Sequence, residues 1–244
     1  MNESAPHPGR EEPENAASDV VRVGVPERGR VVLGVKRFLQ GCFGVLAIRR
    51  LLVYWTLRRC FGRRAFLGAS ESIGRVPGLR GVYLRQAFYR RTLEQCGQDV
   101  HIGWSSVFSM PEARLGDRVY IGRFCSIGYA DLGSETMLAD GVQILSGGRE
   151  HQVGVQTGSR QQQTQTYRRV RIGAGAWIGA GAIVMADVAD GAIVGAGAVV
   201  TRPIPPHQVA AGIPARVLEQ NQMASDSGSG RLPVDRPATT SADQ

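Results

Sequence analysis

Four histidines and four cysteines are the side chains here best suited to moving a proton or holding a metal. His7 lies in a polar, proline-rich start, His101 stands beside Ile102, and His207 follows Pro206. His151 differs: it stands at the entrance of a long polar stretch, LSGGREHQVGVQTGSRQQQTQTYRRV. An imidazole that titrates near pH 6.5 is neutral enough at pH 7 to take a proton from an attacking hydroxyl and return it to a leaving group. Gly147 and Gly148 are candidate backbone N–H donors for an oxyanion, and Glu150 or Asp131 are candidates to orient the ring. The alternative reading of His151 is a solvated loop histidine. Cys42, Cys60, Cys96 and Cys125 form no CxxC pair, and their apolar or small neighbours predict buried free thiols. His101 and His151 stand at no metal-ligand spacing, so a three-histidine zinc site is not offered and no metal is expected.

The elements that must position such a site follow from a repeat. Residues 172–201 read IGAGAWIGAGAIVMADVADGAIVGAGAVVT, with Ile172, Ile178 and Val184 six apart, then Val194 and Val200. Upstream, Leu115, Ile121 and Ile127 repeat the spacing, each followed by glycine; Ile102 and Phe108 open the series, and Leu138 and Ile144 continue it after an irregular stretch at Asp131–Thr136. A period of six fits neither a helix nor a hairpin meander; it fits a β-helix with one short strand and one corner per repeat. The ten-residue step from Val184 to Val194 predicts one shortened corner. The fold class is therefore all-β, a left-handed parallel β-helix with an N-terminal helical extension and a short C-terminal element. The polar insert breaks the repeat over 146–171, and a break this long predicts a functional, mobile excursion.

The net charge of +8 is concentrated. Ten basic residues and no acid lie between Arg28 and Arg64, interleaved with apolar residues including Tyr54 and Trp55. The longest uncharged run, Phe38 to Ile48, is too short to cross a bilayer, which needs about twenty residues. The segment predicts a basic amphipathic helix on an anionic leaflet; the alternative is a helix packed on protein. No motif accompanies the charge that would predict nucleic-acid binding. Leu84, Phe88 and Leu93 give residues 79–95 one apolar face, predicting a helix that covers the open end of the first coil, with Gly97 as its stop. The expected organisation is 1–28 disordered, 29–64 basic helical segment, 65–97 linker and capping helix, 98–219 β-helix, and 220–244 disordered tail. No signal-peptide pattern is read at the start, and the thiols fit a reducing cytoplasm, with peripheral contact at the inner membrane face.

The repeats, the placement of His151 ahead of Trp177–Val184, and the closing TRPIPPHQVAAGIPARVL resemble the hexapeptide-repeat acyltransferases, and the galactoside, maltose and xenobiotic acetyltransferases among them. The resemblance spans about residues 98–218 and implies acyl-CoA-dependent acyl transfer with His151 as catalytic base. It implies acetyl-CoA as donor, held by Trp177, Ala180, Ala196, Thr201, Arg202 and Arg216 in the groove of a homotrimer. Glu219 departs from the pattern, standing where the galactoside-type enzymes carry a second basic residue. The implied acceptor is a carbohydrate hydroxyl, with the basic segment favouring surface-polysaccharide biosynthesis. A small diffusible acceptor and a catalytically silent trimeric scaffold remain as alternatives.

Overall fold

In the computed structural model the described residues are 30–146 and 167–218, with side chains from Gly41 onward. Both predicted disordered ends, 1–28 and 220–244, and His151 with Gly147, Gly148 and Glu150 lie outside them. The chain divides into units 1–38 and 39–244. The second unit carries everything that bears on the site.

Most repeats contribute a strand of only two residues, the first facing out and the second in. Stacking these pairs makes three flat faces. The first face stacks β1 (Gln95–Cys96), β4 (Arg114–Leu115), β7 (Ala130–Leu132) and β10 (Val170–Ile172). The second runs through β2 (His101–Ile102), β5 (Tyr120–Ile121), β8 (Met137–Leu138), β11 (Trp177–Ile178), β13 (Ile193–Val194), β15 (Val209–Ala211) and β16 (Arg216–Val217). The third holds β3 (Val107–Phe108), β6 (Ser126–Ile127), β9 (Gln143–Ile144), β12 (Ile183–Val184) and β14 (Val199–Val200). Pairing is parallel and in register throughout, except that β16 folds back antiparallel on β15. The anchors from Ile102 to Val200 fill the shaft and are essentially inaccessible to water, which is where the hydrophobic stabilisation is concentrated.

The three edges differ in length rule. From the first face to the second the step is six residues in every coil, as in Leu115 to Ile121 and Ile172 to Ile178. From the second to the third it is again six, as in Ile121 to Ile127 and Ile178 to Val184. From the third back to the first it is seven (Phe108 to Leu115), five (Ile127 to Leu132), four (Val184 to Val188) and four (Val200 to Ile204). The shortened corner is thus located: Val188 is the anchor, bridging Ile172 below and Ile204 above. The stretch at Asp131–Thr136 is not irregular, because Leu132 is an ordinary first-face anchor in register with Leu115.

Three helices precede the stack, α1 (Arg30–Phe61), α2 (Arg64–Gly74) and α3 (Gly78–Thr92), and α2 and α3 pack against its first strands. The segment read as a linker contains α2, and the capping helix ends at Thr92 rather than near Gly97. Gly97 is a corner residue instead: a Cβ there would meet the Gly116 carbonyl oxygen at 2.4 Å. Cys96, six residues before Ile102, is the first anchor, so the β-helix begins earlier than the spacing suggested. Side chains from α2 and α3 satisfy backbone groups of the first coil, as buried polar groups require. Buried Arg85 donates to the carbonyls of Ile102 (2.8 Å) and Val76 (2.7 Å), and desolvation lowers its pKa from the usual value. The Ser70 hydroxyl accepts from the Phe108 N–H at 2.8 Å and is hydrogen-bonded to the Tyr89 hydroxyl. One stripe of α1, Ala47, Leu51 and Tyr54, packs inward, with Tyr54 edge-on to Phe66 and Phe88. Cys125 is buried, but Cys42 and Cys60 are exposed, because both lie on α1 away from that stripe.

Candidate active site

The polar excursion leaves and returns at one point of the variable edge. The Arg168 N–H donates to the Ser146 carbonyl at 2.8 Å, so the two ends of the insert meet. The return is held by charge. Arg168 pairs with Asp187 at 2.5 Å, Arg169 pairs with Glu94 at 2.6 Å, and the Arg169 guanidinium lies 4.5 Å from the Tyr129 ring centroid. Hydrogen bonds from Arg114 first, then Arg169, hold the Glu94 carboxyl below its ordinary pKa despite the opposing cost of desolvation. Asp131 faces outward on the first face, in register between Arg114 and Arg171.

Ala180 and Ala196 come together on a different edge, between the second and third faces. They occupy successive corners of identical sequence, Gly179–Ala180–Gly181 and Gly195–Ala196–Gly197, joined by the Gly197 N–H to the Ala180 carbonyl at 2.8 Å. The same edge looks different in the first coils. There Trp104 and Phe124 stand exposed with ring centroids 5.1 Å apart, and Arg123 chelates Asp140. The edge therefore passes from bulky at the helical end to bare at the far end. Trp177 projects from the second face beside the bare corners and is half exposed. Thr201 and Arg202 lie elsewhere, at the start of the last corner of the variable edge, above the excursion. Arg216, on the antiparallel β16, is exposed and donates to its neighbouring Ala215 carbonyl. Within one chain, then, Ala180 and Ala196 are joined, and the third face separates them from Thr201 and Arg202.

Trp177 also belongs to a row that residue-by-residue reading missed. His101, Tyr120, Met137 and Trp177 follow one another in register on the outer side of the second face. The His101 and Tyr120 rings stack at 4.8 Å and 7°, and Tyr120, Met137 and Trp177 are substantially exposed. The signal was in the sequence: each immediately precedes a buried anchor, and period-two alternation sends it outward.

The solved structures to which the chain is similar include three acetyltransferases. A maltose O-acetyltransferase from Clostridium difficile 630 aligns with a TM-score of 0.57 and 23% identity, over 64% of this chain and 84% of that one. A galactoside acetyltransferase in complex with coenzyme A gives 0.55 and 22%, over 65% and 82%. A hexapeptide-repeat acetyltransferase from Vibrio cholerae O1 biovar eltor, complexed with acetyl coenzyme A, gives 0.53 and 19%, over 64% and 85%. The chain has the fold of the hexapeptide-repeat acetyltransferases. No family model matches the sequence, and no curated protein matches it. Among the described residues no cluster of three or more His, Cys, Asp or Glu side chains is arranged to hold a metal ion.

Proposed function

We propose that the protein is an O-acyltransferase that moves an acetyl group from acetyl-CoA to a carbohydrate hydroxyl, with His151 as general base. The observation that carries the donor side is the pair of stacked Gly-Ala-Gly corners beside Trp177. Without side chains beyond a methyl group, this edge lets a thin alkyl-amide chain lie against the backbone and reach its N–H and C=O groups. Arg202 and Arg216 are the exposed guanidinium groups suited to the phosphates of the same donor.

His151 lies in the segment that leaves the variable edge. The acceptor oxygen attacks the thioester carbonyl carbon while the imidazole takes its proton. The tetrahedral oxyanion then collapses, the carbon–sulfur bond breaks, and the thiolate leaves with that proton. Asp131, outward on the adjoining face, is the described candidate to orient the ring. Of the residues assigned to the donor, Ala180 and Ala196 lie on one edge and Thr201 and Arg202 on another, with the third face between them. One coenzyme reaches both if one edge comes from each of two neighbouring copies, and this supports a homotrimer with its sites between chains. Two of the similar structures are enzymes named for maltose and galactoside, which supports a sugar hydroxyl as acceptor, and the basic segment supports surface-polysaccharide assembly as its setting.

The test is release of free thiol from acetyl-CoA against a panel of soluble and lipid-linked glycans, together with sedimentation. His151→Ala is expected to lose roughly 10²–10⁴-fold in transfer rate, the usual scale for acid–base work, with coenzyme affinity little changed. Turnover near the parent value would make His151 a solvated loop residue, and a monomer at micromolar concentration would remove the shared site.

A further inference from the structure

The arginines of the β-helix and those of the helices have different company. Arg114, Arg118, Arg123, Arg168 and Arg169 each pair with a carboxylate from a neighbouring coil or from Glu94. Arg63 pairs with Glu112, but among the described residues no carboxylate pairs with Arg49, Arg50, Arg59, Arg90 or Arg91, and no acid occurs between Arg28 and Arg64. These groups cluster around α1. On the side of α1 away from Ala47, Leu51 and Tyr54, apolar side chains flank Arg49 and are open to solvent: Val45, Leu46 and Leu52 are each more than 60% exposed, and Val53 and Trp55 about half.

Grooves flank this helix on both sides. One, of about 410 Å³, lies between α1 and α2, with Val53, Leu57 and Ile73 in its wall and Arg49 and Arg50 at its rim. The other, of about 420 Å³, lies between α1 and α3, with Val45, Ile48 and Tyr83 in its wall and Arg90 and Arg91 beside them. Each combines an apolar trough with two adjacent guanidinium groups. That is the chemistry of an alkyl chain ending in a phosphate. No described helix is long and apolar enough to cross a membrane, so α1 is suited to lie along a surface rather than through it.

We propose that the outer stripe of α1 and its two flanking grooves dock the protein on an anionic phospholipid leaflet. Val45, Leu46, Leu52 and Val53 enter the acyl boundary, and Trp55 sits at the headgroup level, where an indole is favoured. Arg49, Arg50, Arg90 and Arg91 meet lipid phosphates, and each basic side chain near such a surface strengthens binding about fivefold at low salt. This inference stands apart from acyl transfer: the docking surface uses none of the residues assigned to acetyl-CoA or to proton transfer.

The experiment is co-sedimentation of the full chain with vesicles of phosphatidylglycerol and, separately, of phosphatidylcholine, at low and high salt, with Trp55 fluorescence. Binding to phosphatidylglycerol at low salt, at least about tenfold weaker binding to phosphatidylcholine, and a blue shift that Trp55→Phe abolishes are expected. The exposed pair Arg49→Glu and Arg50→Glu is expected to weaken binding by about tenfold or more. Leu52→Asp with Val53→Asp is expected to remove the salt-resistant part. Circular dichroism and sedimentation of each variant separate lost docking from lost fold; a misfolded variant is replaced by Arg49→Gln with Arg50→Gln, for which a smaller loss of the same sign is expected. Absence of binding to phosphatidylglycerol at low salt overturns the proposal, as does binding indifferent to these charges. If Leu52→Asp with Val53→Asp dissociates an oligomer instead, the stripe is an interface between copies and the leaflet is excluded.

Discussion

Two edges of the β-helix keep one length in every coil, and the third varies from four residues to the 28 between Ile144 and Ile172. At the regular edges each corner rests on the corner beneath it. A Cβ on Gly179 would come 2.5 Å from the Ala196 nitrogen, and one on Gly103 would come 2.2 Å from the Gly122 carbonyl oxygen. Such contact leaves no room for an added residue. At the variable edge the chain needs only to return to the next first-face anchor, and the hydrogen bond from Arg168 to Ser146 shows how it does so after a long departure. Stacking fixes two edges, and the freedom left at the third is where new chemistry can be inserted without disturbing the shaft.

Removing the excursion is the strongest way to break this contrast. Joining Ser146 to Tyr167 through a short Gly-Ser linker is expected to abolish transfer, by at least the roughly 10²-fold associated with a lost base. It should leave the thermal midpoint nearly unchanged, because loop length enters stability only logarithmically. Loss of the cooperative transition would show that the variable edge is as constrained as the others. Next comes a pair of neighbouring glycines. Gly179→Ala is expected to cost roughly 3 kcal/mol in urea unfolding, because its methyl meets backbone that cannot yield. Gly181→Ala has open space around its Cβ but φ of +67°, so only the left-handed backbone is penalised, at about 1 kcal/mol. Equal costs would show that corner contact is not what makes the edge regular.

A smaller effect concerns the two proposed phosphate contacts. Arg202→Ala and Arg216→Ala are each expected to raise KM for acetyl-CoA roughly tenfold while changing kcat little, since a distant phosphate contact binds ground and transition states alike. If, at acetyl-CoA well below its KM, the mixed oligomer of Arg202→Ala and Ala180→Trp chains is no more active than either parent oligomer, the proposed sharing of one site between copies fails. The smallest effect is on pH dependence. Burial first, and the Arg85 charge second, hold the His101 imidazole below its ordinary value of 6.5. Between that lowered pKa and about 6.5 the unfolded chain binds more protons than the folded one, so stability rises with pH through this window and is lost as pH falls through it. His101→Gln should flatten that part of the stability profile; an unchanged slope would assign it to other groups.

What was legible in the sequence was whatever repeats with the backbone. The six-residue spacing encodes a two-residue strand plus a corner, and that spacing identifies the shaft anchors of the second and third faces from Ile102 to Val200. Val188 and Leu132 escaped because the variable edge displaces them from the period, and Cys96 escaped because it stands ahead of the series that Ile102 was read to open. The exposed thiols of Cys42 and Cys60 were misread for a related reason: apolar neighbours in sequence are not neighbours around a helix that is covered on one stripe only.

The residues proposed for proton transfer and phosphate contact were named from the sequence through its resemblance to a family, by their place in the repeat and its closing motif. Which of them share an edge was not, because that depends on coils stacking several repeats apart. Only the tertiary structure placed Ala196 above Ala180, set Thr201 and Arg202 on the variable edge, and left one side of α1 open while burying the other. The sequence by itself determined the repeat and the chemical inventory, since both are local. The surfaces on which that inventory acts were decided by contacts between residues distant in the chain, and their cause is the parallel register that lays each coil on the one before it.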